Sequence, residues 1–238
     1  MKKILFSAAF LCVTFLAIGQ RQINDPNARV RSVSSFNGIE VTSGIQVILT
    51  QGNETSVAVS ADESEFRDKI KTEVIDNTLK LYFDADFLEK LKGNKNLRAY
   101  VSVPELTRIT VSAGATVHFD NELKSSGLLV KANSGGAVKG SLDIDQELNV
   151  QQSSGAVVTL NGSASRLVVK GSSGSIFRGY DLAVSSCDAS TNSGASIQVT
   201  VEKELTAHAT SGGFIQYKGN GVITGIRTNS GGSISKKG

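Results

Sequence analysis

From Ser112 onward one tetrapeptide keeps returning. It reads Ser112-Ala113-Gly114-Ala115, Asn133-Ser134-Gly135-Gly136, Ser153-Ser154-Gly155-Ala156 and Ser172-Ser173-Gly174-Ser175. It continues as Asn192-Ser193-Gly194-Ala195, Thr210-Ser211-Gly212-Gly213 and Asn229-Ser230-Gly231-Gly232. A period of about twenty residues means stacked structural repeats, and it restricts the fold more than any other feature of the chain. Three residues after each glycine stands an apolar residue: Val117, Val138, Val158, Phe177, Ile197, Ile215 or Ile234. Five residues before it stands Ile109, Val130, Val150, Val169, Ala189, Ala207 or Ile226. Seven before it, Leu128, Leu148, Leu167 and Leu205 alternate with Thr107, Cys187 and Thr224. Positions two apart share one face of a strand, and the β-branched types enriched there are strand formers.

Each repeat therefore reads as strand, Ser/Asn-Gly corner, strand and a looser return. No repeat holds a helical periodicity long enough for leucine-rich or helical solenoids, and hexapeptide spacing is absent. The geometry that remains is all-β: a parallel β-solenoid with one repeat of about twenty residues per coil. Glycine supplies the positive φ that tight corners need. Small Ser, Asn and Thr side chains beside it can stack from coil to coil. With strands about 4.8 Å apart, seven coils make a rod of roughly 30–35 Å.

Several segments resemble a known family. They are Phe36-Asn37-Gly38-Ile39-Glu40-Val41, the run from Gly44-Ile45-Gln46 through Thr50-Gln51-Gly52, Val101-Ser102-Val103-Pro104, the Ile109 to Ala115 junction and the later Ser-Gly corners. Over residues 30–235 the chain resembles the head GIN domain family of putative auto-transporter adhesins. That resemblance implies a right-handed, β-helix-like fold in an exported protein. It carries no catalytic motif.

Residues 1–19 have the form of a secretory signal peptide. Lys2 and Lys3 make a positive start, Ile4 to Ile18 an apolar core, and Ala17-Ile18-Gly19 a small-x-small cleavage signal. Cys12 stands inside the apolar core, where a lipid-modified cysteine is not expected. Removing residues 1–19 takes two lysines from the 25 Lys and Arg and leaves 23 against 22 Asp and Glu, a net charge of about +1. The pI of 8.8 is partly an effect of that segment. No basic cluster is visible along the sequence, Lys236-Lys237 reads as a solvated tail, and no nucleic-acid partner is expected. No further apolar run is long enough to span a membrane.

Residues 20–29 read as a flexible leader. The β pattern starts at Val30, and residues 30–235 form one expected unit. Within it, 30–104 are irregular coils or a cap, and 105–235 are the regular repeats. A short helix is expected over 62–70, with Asp62 as N-cap and Glu65 at the capping-box position. Ile70–Val74 and Leu79–Phe83 read as a hairpin about Asp76-Asn77. Asp84 to Asn96 read as a charged surface loop, and Ala99–Val103 as a strand ended by Pro104. A cap suits a solenoid, because an open terminal coil leaves strand edges unpaired.

The search for chemistry finds little. His118 lies four residues after its corner glycine and His208 four before its own, so the repeat does not pair them. There is no Gly-x-Ser-x-Gly, His-Glu-x-x-His, P-loop or dinucleotide fingerprint. The carboxylate pairs Asp143/Asp145, Asp84/Asp86 and Glu202/Glu204 do not recur in register and read as surface charge. Calcium-binding repeats would place a carboxylate in every coil, and these corners offer only hydroxyls, amides and backbone. Cys187 sits in a column of leucines and reads as a buried small apolar residue. Tyr180, Tyr217 and Phe214 read as a satellite of the core, with one small aromatic surface patch as the alternative. No catalytic residue, metal or cofactor is expected, and no binding residue is singled out. The reading is an exported, non-enzymatic, adhesin-like β-solenoid, in the periplasm or at the cell surface, that binds an envelope protein or polysaccharide. The alternatives are a β-helix carbohydrate-active enzyme and a periplasmic ligand-sensing or scaffold domain.

Overall fold

The structure, a computed structural model, describes residues 25–83 and 95–238. The expected signal peptide and the Asp84/Asp86 pair lie outside them. Strands β1 (Arg29–Arg31), β2 (Gly38–Val41), β3 (Gln46–Gln51) and β4 (Ser56–Ser60) precede a helix, α1 (Ser64–Lys69). Then come β5 (Ile70–Ile75), β6 (Thr78–Phe83), β7 (Arg98–Val103), β8 (Arg108–Val111), β9 (Thr116–Phe119) and β10 (Leu123–Ala132). The long strands are β11 (Ala137–Gln152), β12 (Val157–Gly171), β13 (Ile176–Thr191) and β14 (Ser196–Ala209), and β15 (Phe214–Lys218), β16 (Val222–Thr228) and β17 (Ser233–Lys236) close the series.

From β8 onward every pairing is parallel, and coil lies on coil with a spacing of about 20 residues for about six turns. The register reproduces the apolar columns. One ladder joins Ile109, Val130, Val150, Val169, Ala189, Ala207 and Ile226, and the other joins Val117, Val138, Val158, Phe177, Ile197, Ile215 and Ile234. All but the last member of each are buried. Burial alternates along the long strands β11 and β12 on either side of their bend, as the period-two pattern requires. In the last coil the third column shifts: a register break places Ile223, and not Thr224, beside Leu205. The Thr224 hydroxyl instead bonds the Leu205 carbonyl at 3.2 Å.

The looser return is itself strand. β11 runs unbroken through Asp143 and Asp145 and bends at a register shift between Ile144 and Glu147. An equivalent shift between Val184 and Ser186 interrupts the β13–β14 pairing, whereas β12–β13 shifts earlier in the coil, between Thr159 and Gly162. A bulge bends a strand without ending it, so a coil turns here without needing a loop.

The N-terminal half supplies both coils and a cap. β2 and β3 flank a Ser43-Gly44 corner and pair in parallel with β8 and β9. β6 and β7 add one further parallel layer. Beyond it the pairing turns antiparallel, β5 on β6, β4 on β7 and β1 on β4, and this closes the end of the stack. The β5–β6 hairpin turns at Asp76-Asn77, both with positive φ, as expected for a tight two-residue turn.

Two expectations are corrected here. The helix starts after Glu63, with no side-chain cap, because the Asp62 carboxylate is held by the Asn96 amide at 2.8 and 3.1 Å. The leader is anchored from Asp25. Its carboxylate accepts a 2.8 Å hydrogen bond from the Tyr100 hydroxyl, and Arg29–Arg31 pair with β4.

Candidate functional site

The corners form a continuous ridge. In each, the residue before the glycine also has positive φ: Ser43, Ala113, Ser134, Ser154, Ser173, Ser193, Ser211 and Ser230, at 48° to 61°. Their glycines lie at 70° to 77°. Two successive left-handed residues make a type I′ turn, closed for example by Ala156 N–H to Ser153 O at 3.1 Å. Corner is bonded to corner as well. The Gly44 N–H donates to Ala113 O, Gly135 to Ser154 O and Gly155 to Ser173 O, and the series runs to Gly212 and Ser230 O. The ridge backbone is thus consumed by its own ladder, and the exposed Ser side chains are what it offers to a ligand.

Beside the ridge runs a groove of about 460 Å³. Its walls are Lys131, Gln151 and Lys170 on the strand before the corner, with Asn133, Ser153 and Ser172 at the corner itself. No Asp or Glu lines it. Register places Lys131, Gln151 and Lys170 side by side on consecutive coils. Sequence reading missed these lysines because they stand 39 residues apart. The signal was available in the repeat alignment, since each stands four residues before a corner glycine.

A second, smaller groove of about 320 Å³ crosses the return strands. Asp143, Asp145 and Glu202 line it together with Ser165, Ala183 and Ser185. The Asp143 carboxylate accepts a 2.5 Å hydrogen bond from the Ser163 hydroxyl. Glu202 therefore shares a groove with the Asp143/Asp145 pair, which the sequence did not reveal. Three coils separate Asp145 from Glu202, about 14 Å at the strand spacing. Paired glycosidase carboxylates stand about 5–10 Å apart.

The other candidates stay dispersed. His118 and His208 flank the ridge on opposite sides and on different coils. Burial pushes the Cys187 thiol up to about 12, which leaves it unreactive. Tyr217 turns into the core, whereas Tyr180 stays at the surface, so the aromatic patch does not form. The Tyr180 ring is covered by the Lys237 and Lys218 ammonium groups at 4.4 and 5.3 Å, and its hydroxyl bonds Gln216 at 2.5 Å. Among the described residues no cluster of His, Cys, Asp or Glu is placed to hold a metal ion.

Comparison with known proteins gives one family and one fold. A family model described as "Putative auto-transporter adhesin, head GIN domain" matches residues 35–221. The structure of a putative adhesin from Bacteroides fragilis is similar with a TM-score of 0.79 and 24% identity, over 88% of this chain and 96% of that one. A putative lipid binding protein from Parabacteroides distasonis is similar with a TM-score of 0.67 and 19% identity, over 91% and 98%. A putative adhesin from Parabacteroides merdae gives 0.65 and 18%, over 89% and 95%. At these identities the likeness is one of fold. No curated protein sequence matches the chain.

Proposed function

Because the chain belongs to the family described as putative auto-transporter adhesin, head GIN domain, we propose that it is an exported, non-enzymatic binding protein of the cell envelope. One observation carries this reading. The corner ridge and its acid-free groove form an extended polar surface along stacked coils, with no acid, base and nucleophile assembled beside it among the described residues. A surface of that kind suits a polymer or another envelope component better than a small molecule, which needs a concave and largely enclosed site. The signal-peptide pattern of residues 1–19 supports export. Among the described residues, no helix is long and apolar enough to cross a membrane.

Protease treatment of intact cells beside a lysed control tests the placement. Cleavage on intact cells is expected for a surface adhesin, and protection until lysis would move the protein to the periplasm. Recovery from the cytoplasm alone would overturn the reading. The acidic return groove gives a second reading, a carbohydrate-active enzyme. Release of reducing ends from a polysaccharide, abolished by Asp143→Asn, would establish it in place of the first.

A further inference from the structure

We propose that the ridge binds an acidic, carboxylate-bearing polysaccharide laid along the rod axis, held by four cations around the Ser153–Gly155 corner. This rests on the envelope-binding reading and names the ligand class of the same surface. Lys131 and Lys139 flank the Gly135 corner, four residues before and after it, and Lys170 and Arg178 flank the Gly174 corner in the same way. Register puts Lys131, Gln151 and Lys170 in one row and Lys139, Thr159 and Arg178 in the other. The four cations therefore mark out a rectangle, two coils or roughly 9.6 Å long, with the Ser153-Ser154 corner at its centre. All four are exposed, and none makes an ion pair among the described residues. Most arginines and lysines toward the capped end do pair, as Arg29, Arg67, Lys80, Lys95 and Arg98 show.

From Gly114 onward the acids are kept off the corners, and Glu40, before the Gly44 corner, is paired with Lys80. No Asp or Glu lies within five residues of any corner glycine from Gly114 to Gly231. The nearest on the same strand face as Lys170 is Asp188, one pleat further from the ridge. Asp143, Asp145, Glu147 and Glu202 lie on the return strands. The nearest acids are Asp120, Asp181 and Asp188, at least a pleat from the flanking columns, and Glu40, two coils along the Lys131 row and paired with Lys80. Exposed cations gain little from partners at that distance in water, so the four unpaired cations make a field that favours an anion. Ser153, Ser172 and Asn133 add hydroxyl and amide groups that can exchange hydrogen bonds with sugar hydroxyls. The exposed large apolar side chains, Val30, Ile75, Val222, Ile223 and Ile226, lie away from the rectangle, which offers nothing to insert into a lipid layer.

The test uses the purified full chain on immobilised polygalacturonate, with dextran as the neutral counterpart. Binding to polygalacturonate and not dextran is expected, weakening with added salt. K131Q/K170Q and K139Q/R178Q should each weaken it about tenfold or more, the loss expected from removing charged hydrogen bonds. K203Q, on the return side, should leave it unchanged. Both double variants change only exposed side chains, and their melting temperatures report that they are folded. Unchanged binding by both doubles, or an equal loss in K203Q, would overturn the site. Tighter binding to duplex DNA or to phosphatidylglycerol vesicles than to polygalacturonate would overturn the ligand class. Binding to intact cells without binding to polygalacturonate would reject this inference and leave the envelope reading standing. Binding to neither would reject both.

Discussion

Replacing Gly155 by alanine isolates the energetic cost of a corner. Its φ is +72°, and an added Cβ would meet nothing within 4 Å. The substitution therefore introduces backbone strain without a clash. An L-residue in the left-handed region costs about 1–2 kcal/mol, offset in part by the lower entropy of the unfolded alanine chain. The Gly155 N–H still bonds Ser173 O, so the ladder survives. A net loss of about 1 kcal/mol lowers the melting temperature of a domain this size by about 2–4 °C. Gly162 makes the contrast. Its φ is +111°, and a Cβ there would stand 2.0 Å from the Leu142 carbonyl oxygen, inside the β11–β12 pairing. Gly162→Ala should cost several times more, and Gly155→Val, β-branched in the same left-handed position, should fall between them. Thermal and urea unfolding of the three variants beside Thr159→Ala, an outward-facing control, gives the order. Equal stability of Gly155→Ala and the control would refute the assignment of strain to the corner. Equal damage from Gly155→Ala and Gly162→Ala would refute the claim that the corner has room.

Other perturbations have defined outcomes. Phe177 is fully buried among the large core side chains, and Phe177→Ala should cost about 3–5 kcal/mol in urea unfolding. Gln152 is buried with neither amide atom hydrogen-bonded, so Gln152→Met should raise the urea midpoint, by about 1 kcal/mol of stability. Burial opposes ionisation of Asp25, but hydrogen bonds from Tyr100, Ser60 and Asn27 and the charge of Arg98 outweigh it and hold its carboxyl below 3.8. A lowered folded value gives stability that is present above the unfolded value and lost as pH falls through the folded one. The urea midpoint should therefore drop between about pH 5 and pH 3 by more in the wild type than in Asp25→Asn. Cys187, with its thiol pushed up to about 12, should resist maleimide in the native state and react once the chain is unfolded.

The regular coils were legible because each repeats one short pattern. The apolar columns and the corner glycines recur at fixed offsets, and the observed register follows them. The Ser43-Gly44 coil was harder to place. It stacks directly on Ala113-Gly114, but 70 residues separate the two glycines, and the excursion between them builds the neighbouring layer and the cap. The left-handed serines were hidden because serine carries no conformational signature of the kind glycine does. The Asp62 cap was misplaced because a partner 34 residues away, Asn96, takes its carboxylate. The cation rectangle and the acidic return groove share one reason for escaping notice. Their members are distant in sequence and meet only through the parallel register, and the bulges at Ile144 and Val184 shift the count on the return side.

Hydrogen–deuterium exchange of the chain with and without polysaccharide extracted from the producing cell's envelope tests most directly which surface binds. Protection confined to segments 130–140, 150–160 and 169–179 is expected, with no new reducing ends in the extract. Protection over 143–147, 163–165 and 202–204 instead, or release of reducing ends, would move the site to the acidic groove and contradict a non-enzymatic ridge.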